Sequence, residues 1–195
     1  MKNLLMISGD RSLLSGRTGG PFETTLRGLA EHFDHISVLC PRIRGSRRLQ
    51  FLPNVILESS PFPLIFQPLW IFFRGLQLEK EQHFSIATVH EYPPFYNGFG
   101  ARLLMRYLHI PFIAEIHHLI GEPTAASFSE WCGRLLSKFL LVSHLNVFSA
   151  VRVVNTVVAD TLIARGVQRE KFHVIPSLYL DLTGLIPDSS IPKIY

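Results

Sequence analysis

"FSIATVHEYPPFYNGFGARLLMRYLHIPFIAEIHH", residues 84–118, holds two apolar runs with little polar alternation, "SIATV" at 85–89 and "FIAEI" at 112–116. Between them "GFGARLLMRYLH", residues 98–109, reads as a helix. Runs without strict alternation are what strands buried on both faces of a parallel sheet look like. A strand, a helix and a second such strand make a βαβ unit, which is right-handed in almost every known case.

Outward from this unit the pattern repeats. Further apolar runs stand at 3–7 (NLLMI), 36–40 (ISVLC), 54–58 (NVILE), 151–154 (VRVV) and 172–175 (FHVI). Phe22, Leu26, Leu29, Ala30 and Phe33 form a stripe on one face of a helix. Residues 126–145 read as a longer helix carrying Phe128, Trp131, Leu135, Phe139 and Val142. "TVVADTLIARG" reads as the last helix, with Thr156 available as N-cap and Gly166 placed to end it in a left-handed conformation. The series predicts an α/β fold with a single Rossmann-like, doubly wound parallel sheet. Residues 1–181 are expected to form that domain, and 182–195, "LTGLIPDSSIPKIY", to be a linker.

Composition narrows the classes. The chain has 195 residues, 47% hydrophobic and 17% charged, enough to bury a substantial core. The two cysteines lack CxxC spacing, which leaves a disulfide scaffold or a structural zinc site without support. The longest apolar passage, "FPLIFQPLWIFFRGL", is broken by Pro63, Gln67 and Pro68 and falls short of the ~18 to 20 residues of a membrane span. The net charge of +4 is concentrated at Arg42, Arg44, Arg47 and Arg48. Beside an aromatic segment containing Trp70, these arginines are candidates for contact with an anionic membrane; a solvated loop and a buried Trp70 are the plainer alternative. No recognised nucleic-acid motif accompanies the charge.

Ligands of doubly wound sheets bind outside the carboxyl ends of the strands, so the residues there are the candidates for a site. They are Ser8, Gly9 and Asp10, then Gly19 and Gly20, His90 and Glu91, Glu115, His117 and His118, Asn155, and Ser177. Gly19 and Gly20 ahead of Pro21 allow a tight turn with exposed amides at a helix N-terminus, a seat for a phosphate or a hydroxylated ligand, or a plain connecting turn. Neither a dinucleotide fingerprint nor a P-loop is present. "HEYPP" runs into two prolines, so a zinc helix of the HExxH kind is not formed and no metal is expected. Histidine at a crevice can orient a hydroxyl or steady an oxygen gaining charge. His118, one step along the strand from His117, is expected to point to the other side, which favours His117.

Three passages together resemble the N-terminal domain of the GT-B retaining glycosyltransferases of family four, glycosyl transferase group one. They are "GGPFETTLRGLAEHF" after the first strand, residues 84–118, and "VRVVNTVVADTLIARGVQREKFHVIPSLYLD". The resemblance spans residues 1–187 and implies one half of a GT-B architecture. It implies a hexosyl-type transferase moving sugar from a nucleotide-diphosphate donor to a glycan or lipid-linked acceptor, without a further cofactor. On that resemblance His117 contacts and supports the donor sugar, Gly19 and Gly20 line the cleft, and His90 with Glu91 lines the acceptor side. Asn155 falls where the family often has Ser, and "PSLYLD" departs from the usual Pro-Asn-Gly-hydrophobic-Asp while keeping Asp181. The resemblance further implies that 182–195 are a linker and, at "DSSIPKIY", the start of a C-terminal donor-binding domain, without the rest of which these residues alone do not catalyse transfer. Two cysteines without a disulfide framework fit a cytoplasmic location, and the arginines and aromatic segment make the inner membrane face a candidate contact. A non-catalytic scaffold module and half of a sugar-nucleotide epimerase are the alternative readings.

Overall fold

The computed structural model describes residues 1–176 except 46, 120, 121 and 123. Ser177, Asp181 and the 182–195 linker therefore lie outside the described residues. In chain order the elements are β1 (Asn3–Ile7), α1 (Pro21–Ala30), β2 (His35–Cys40), β3 (Arg48–Leu52), β4 (Val55–Ser59), α2 (Gln67–Gln82) and β5 (Ile86–His90). They continue with α3 (Tyr96–Met105), β6 (Phe112–Ile116), α4 (Phe128–Leu145), β7 (Ala150–Val153), α5 (Thr156–Ala164) and β8 (Phe172–Val174).

The strands form one sheet in the order β3-β4-β2-β1-β5-β6-β7-β8, parallel throughout except for β3, which runs antiparallel to β4. β3 was not expected. Its sequence RLQFL alternates and lies half-exposed at the sheet edge, with a register irregularity between Gln50 and Leu52, so it lacks the apolar run that marks the other strands.

β1 sends Leu5 and Ile7 to one face and Leu4 and Met6 to the other. The larger core joins Leu5, Ile7, Val89, Ala114 and Val153 to α2, α3, α4 and α5. The smaller packs Leu4, Met6, Ile36 and Val38 under Leu26 of α1. Each such buried Leu, Ile or Val contributes roughly 1.5 to 3 kcal/mol over its exposed state. α1 covers only part of its side of the sheet. An open groove of about 620 Å³ remains there, with Thr24 and Gly28 of α1 and His32 just after it on one side and Ile86, Thr88, Ile113, Glu115 and Arg152 of β5, β6 and β7 on the other.

Helix ends are set locally. Ser127 caps α4 by accepting from Glu130 N at 3.2 Å, while Glu130 Oε2 accepts from Ala126 N at 2.8 Å, a reciprocal cap. Asn155, not Thr156, caps α5: its Oδ1 accepts from Val158 N at 2.9 Å. Gly166, at φ 103°, ends α5 as expected, with Val167 N–H donating to Leu162 O at 3.1 Å and Gly166 N–H to Ile163 O at 2.9 Å. Among the described residues no helix is long and apolar enough to cross a membrane.

α4 turns Phe128, Trp131, Leu135 and Phe139 outward, between 41% and 78% exposed, and buries Ser137, Leu141, His144 and Leu145 instead. The reason lies at His144. Its Nδ1 takes a hydrogen bond from Arg102 Nη1 at 3.3 Å, so its Nε2–H donates to Glu91 Oε1, 3.0 Å away, in a site where both side chains are essentially sealed from solvent. Glu91, expected at the crevice beside His90, therefore points into the core as an anchor between β5, α3 and α4. Burial pushes the Glu91 carboxyl up from its ordinary value, against the pull of His144 and Arg102. Gly98 lies against this contact so closely that an added Cβ would overlap Glu91 Oε1 and His144 Nε2.

Two substitutions test this anchor. Gly98→Ala is expected to lower the unfolding free energy by about 2 kcal/mol or more, through overpacking and displacement of the pair. His144→Ala leaves the carboxylate buried without its partner and is expected to cost about 3 to 5 kcal/mol. Urea unfolding followed by circular dichroism measures both.

Candidate functional site

The carboxyl end of the central strands carries a row of polar groups placed by register. In the parallel pairing His90 of β5 lies beside Glu115 of β6, and Glu115 beside Arg152 of β7. All three sit on the α1 side of the sheet, opposite Glu91, because successive residues of a strand face opposite ways. His117, two residues beyond Glu115, returns to the same side.

The imidazoles of His90 and His117 stack with centroids 4.4 Å apart and an interplanar angle of 26°. Glu115 Oε2 is 3.7 Å from His117 Nε2 and 3.4 Å from Arg152 Nη1. Burial pushes the Glu115 carboxyl up, but His117 and Arg152 together outweigh it and hold the group below the ordinary carboxylate range. His90 moves the other way. Burial, then the neighbouring His117, lowers it to about 4 against the pull of Glu115, so its ring is neutral near pH 7. The site thus joins a neutral imidazole, a second imidazole with its side chain 37% exposed, and a fixed carboxylate–guanidinium pair. Such a set can orient sugar hydroxyls without carrying much net charge.

Tyr92 joins this row to the other half of the crevice. Its ring lies 5.5 Å from His90 and against Gly9, where an added Cβ would overlap the ring. Beyond Gly9 an open cleft of about 1010 Å³ is bounded by Asp10, Arg11, Arg17, Arg42, Arg44 and Leu64. Arg11 Nη1 donates to the Arg42 carbonyl at 3.2 Å, tying the loop after β1 to the loop after β2.

The structure brings some expected residues together and places others elsewhere. His90 and His117 meet at the strand ends. His118 faces a separate small hollow with Glu91, Phe95 and Leu141, on the side alternation requires. Asn155 stands at the end of β7, with its side-chain oxygen committed to the cap of α5. Gly19, at φ 77°, and Gly20, the N-cap of α1, form the expected turn, but the amide there is not open: Gly19 N–H donates to Glu23 Oε2 at 2.8 Å. Glu23, held in turn by Arg27 at 2.8 Å, fills the seat that the sequence left open to a phosphate, a hydroxylated ligand or a plain turn. Among the described residues, Gly9, Asp10, Arg11, Ser12, Ser15 and Arg17, rather than Gly19 and Gly20, furnish the first loop's share of the cleft lining. Arg11, Arg17 and Arg152 were missed. Arg152 was readable in principle from its place on β7 in register with Glu115; the two loop arginines carried no periodic signal.

A mostly parallel sheet with this crevice at its carboxyl edge is the N-terminal half of a GT-B architecture. The chain belongs to Glycosyltransferase Family 4, whose profile matches residues 22–177. No significant match exists among curated proteins. Among solved structures it is similar to a sucrose-phosphate synthase from Thermosynechococcus elongatus, with TM-score 0.58, 11% identity, and coverage of 90% of this chain and 88% of that one. It is also similar to Anabaena HepE in complex with UDP-glucose, with TM-score 0.58, 13% identity and coverage of 92% and 44%. A UDP-GlcNAc 2-epimerase from Methanocaldococcus jannaschii gives TM-score 0.53, 12% identity and coverage of 89% and 45%. The chain thus spans less than half the length of the HepE and epimerase structures.

The low His90 value has a sign that can be measured. The folded protein resists a proton there that the unfolded chain accepts near pH 6.5, so stability falls as pH drops from about 6.5 toward 4. His90→Gln is expected to remove up to about 3 kcal/mol of that fall. The check is the urea midpoint of both proteins across this pH window.

Proposed function

We propose that the chain is the acceptor-side half of a retaining glycosyltransferase that moves a hexosyl group from a nucleotide-diphosphate donor to a glycan or lipid-linked hydroxyl. Membership of Glycosyltransferase Family 4 supports the reaction class, and the UDP-glucose complex of HepE supports the donor class. The observation that carries the reading is the His90–His117 stack at the strand ends, backed by Glu115 and Arg152 on the same face. In this reading His117 donates a hydrogen bond to a hydroxyl of the donor sugar and holds the anomeric carbon toward the acceptor. Neutral His90 fixes the His117 ring from behind, and Glu115 with Arg152 limits its rotation. The leaving diphosphate falls to groups of a second domain beyond these residues, and the acceptor enters along the cleft past Tyr92.

The test is kinetic and uses the full-length enzyme. His117→Ala is expected to lower kcat by about 100-fold or more with a smaller change in donor KM. An undiminished transfer rate would remove His117 from the reaction. The similarity to UDP-GlcNAc 2-epimerases favours one competing reading. Incubation with UDP-N-acetylglucosamine and no acceptor separates the two, since only an epimerase changes the sugar without one.

A further inference from the structure

The stretch 62–73 carries none of the strand-end groups assigned above to the transfer, though Pro63 and Leu64 border the cleft. Phe62, Leu64, Ile65, Phe66, Leu69 and Phe73 are between 44% and 67% exposed. α2 is anchored by the opposite side, through buried Gln67, Ile71, Gly75 and Leu78, so Leu69 and Phe73, one turn apart, form an outward apolar stripe continuous in sequence with the 62–66 loop. A soluble monomer scatters its exposed apolar residues; six within twelve positions form a patch that calls for an occupant.

Charge indicates which occupant. From 41 to 78 the chain has five arginines and a single acid, Glu58. That acid is taken by Arg74, through Nε at 2.6 Å and Nη2 at 2.7 Å. Arg42 and Arg44 are exposed, and among the described residues no carboxylate pairs with them. They border the same cleft as Pro63 and Leu64, so the uncompensated cations and the apolar loop are neighbours in space. The expected contact set changes accordingly. Arg48 of β3 lies 3.8 Å from Glu58 of β4, and Trp70 packs against the main core, so the apolar part comes from the loop and the outer side of α2 instead.

We infer that this face seats the protein on an anionic bilayer, with Phe62, Ile65 and Phe66 entering the headgroup boundary and Arg42 and Arg44 meeting lipid phosphates. Arginine and aromatic side chains also suit a protein interface, so the choice rests on two cations without a carboxylate beside an apolar loop, a pairing that a bilayer answers with hydrocarbon and phosphate side by side. Arg42, Arg44 and Leu64 also border the cleft given above to the acceptor, but vesicle binding is read without any transfer, so it can fail or hold separately from the proposed reaction.

Vesicle sedimentation of the whole chain tests it, with equimolar phosphatidylcholine and phosphatidylglycerol against phosphatidylcholine alone. Binding to the anionic vesicles is expected, and Arg42→Ser with Arg44→Ser should weaken it about tenfold or more, an effect that shrinks as salt rises. Phe62→Ser, Ile65→Ser and Phe66→Ser together should weaken it at least as much. A second variant, Leu69→Ser with Phe73→Ser, repeats the apolar test from the helix should the loop variant not fold by circular dichroism. Equal binding to both vesicles, no binding to either, or apolar variants that break a dimer in sedimentation velocity while leaving vesicle binding intact would each overturn the inference.

Discussion

A carboxylate sealed inside a protein must have a partner, and the hydrogen bond from His144 to Glu91 meets that demand at the end of β5. Much of the crevice depends on it. With Glu91 held in the core, the pleat turns His90 to the opposite side of the sheet, where it stacks on His117. The same bond fixes the rotation of α4, since the face that carries His144 must be the buried one. Arg102 sets the tautomer from α3, so three elements are referred to one point behind the site.

Ahead of that point, register takes over. Parallel pairing sets His90, Glu115 and Arg152 side by side on three consecutive strands, and each alters its neighbours. Arg152 and His117 keep Glu115 ionised in spite of burial, and burial keeps His90 neutral. The result is a rigid hydrogen-bonding edge rather than a charged pocket. Positive charge is concentrated instead across Tyr92, in the cleft bounded by Arg11, Arg17, Arg42 and Arg44. The two halves of the crevice thus have different chemistry, one suited to hydroxyls and the other to anions.

The fold was largely legible because its parallel strands are short apolar runs, β1 and β2 buried along nearly their whole length, and most helices between them show apolar spacing; α2 was not read as one. β3 escaped notice because an edge strand needs no apolar run. α4 was readable as a helix but not in its facing: besides Phe128, Trp131 and Phe139 it carries a second apolar side with Leu141 and Leu145, and that is the side on which His144 meets Glu91, over fifty positions away. Glu91 was misplaced for the same reason. Alternation put His118 on the far side of β6 correctly, and applied to β5 it would have parted Glu91 from His90. The Gly19 turn was legible as backbone, but its occupation by Glu23 depends on a side-chain rotamer that composition does not reveal.

β3 has a consequence for the molecule in concentrated solution. It closes the outer edge of the sheet with five residues running against the parallel strands, a register break between Gln50 and Leu52, and Arg48 at its exposed start. Arg27 lies over the Phe51 ring, 4.9 Å from its centroid, and covers part of that edge. A second chain offering a straight strand would meet a short, charged and irregular border there. The hairpin thus acts as a guard against edge-to-edge aggregation, which an all-parallel sheet ending at β4 would lack.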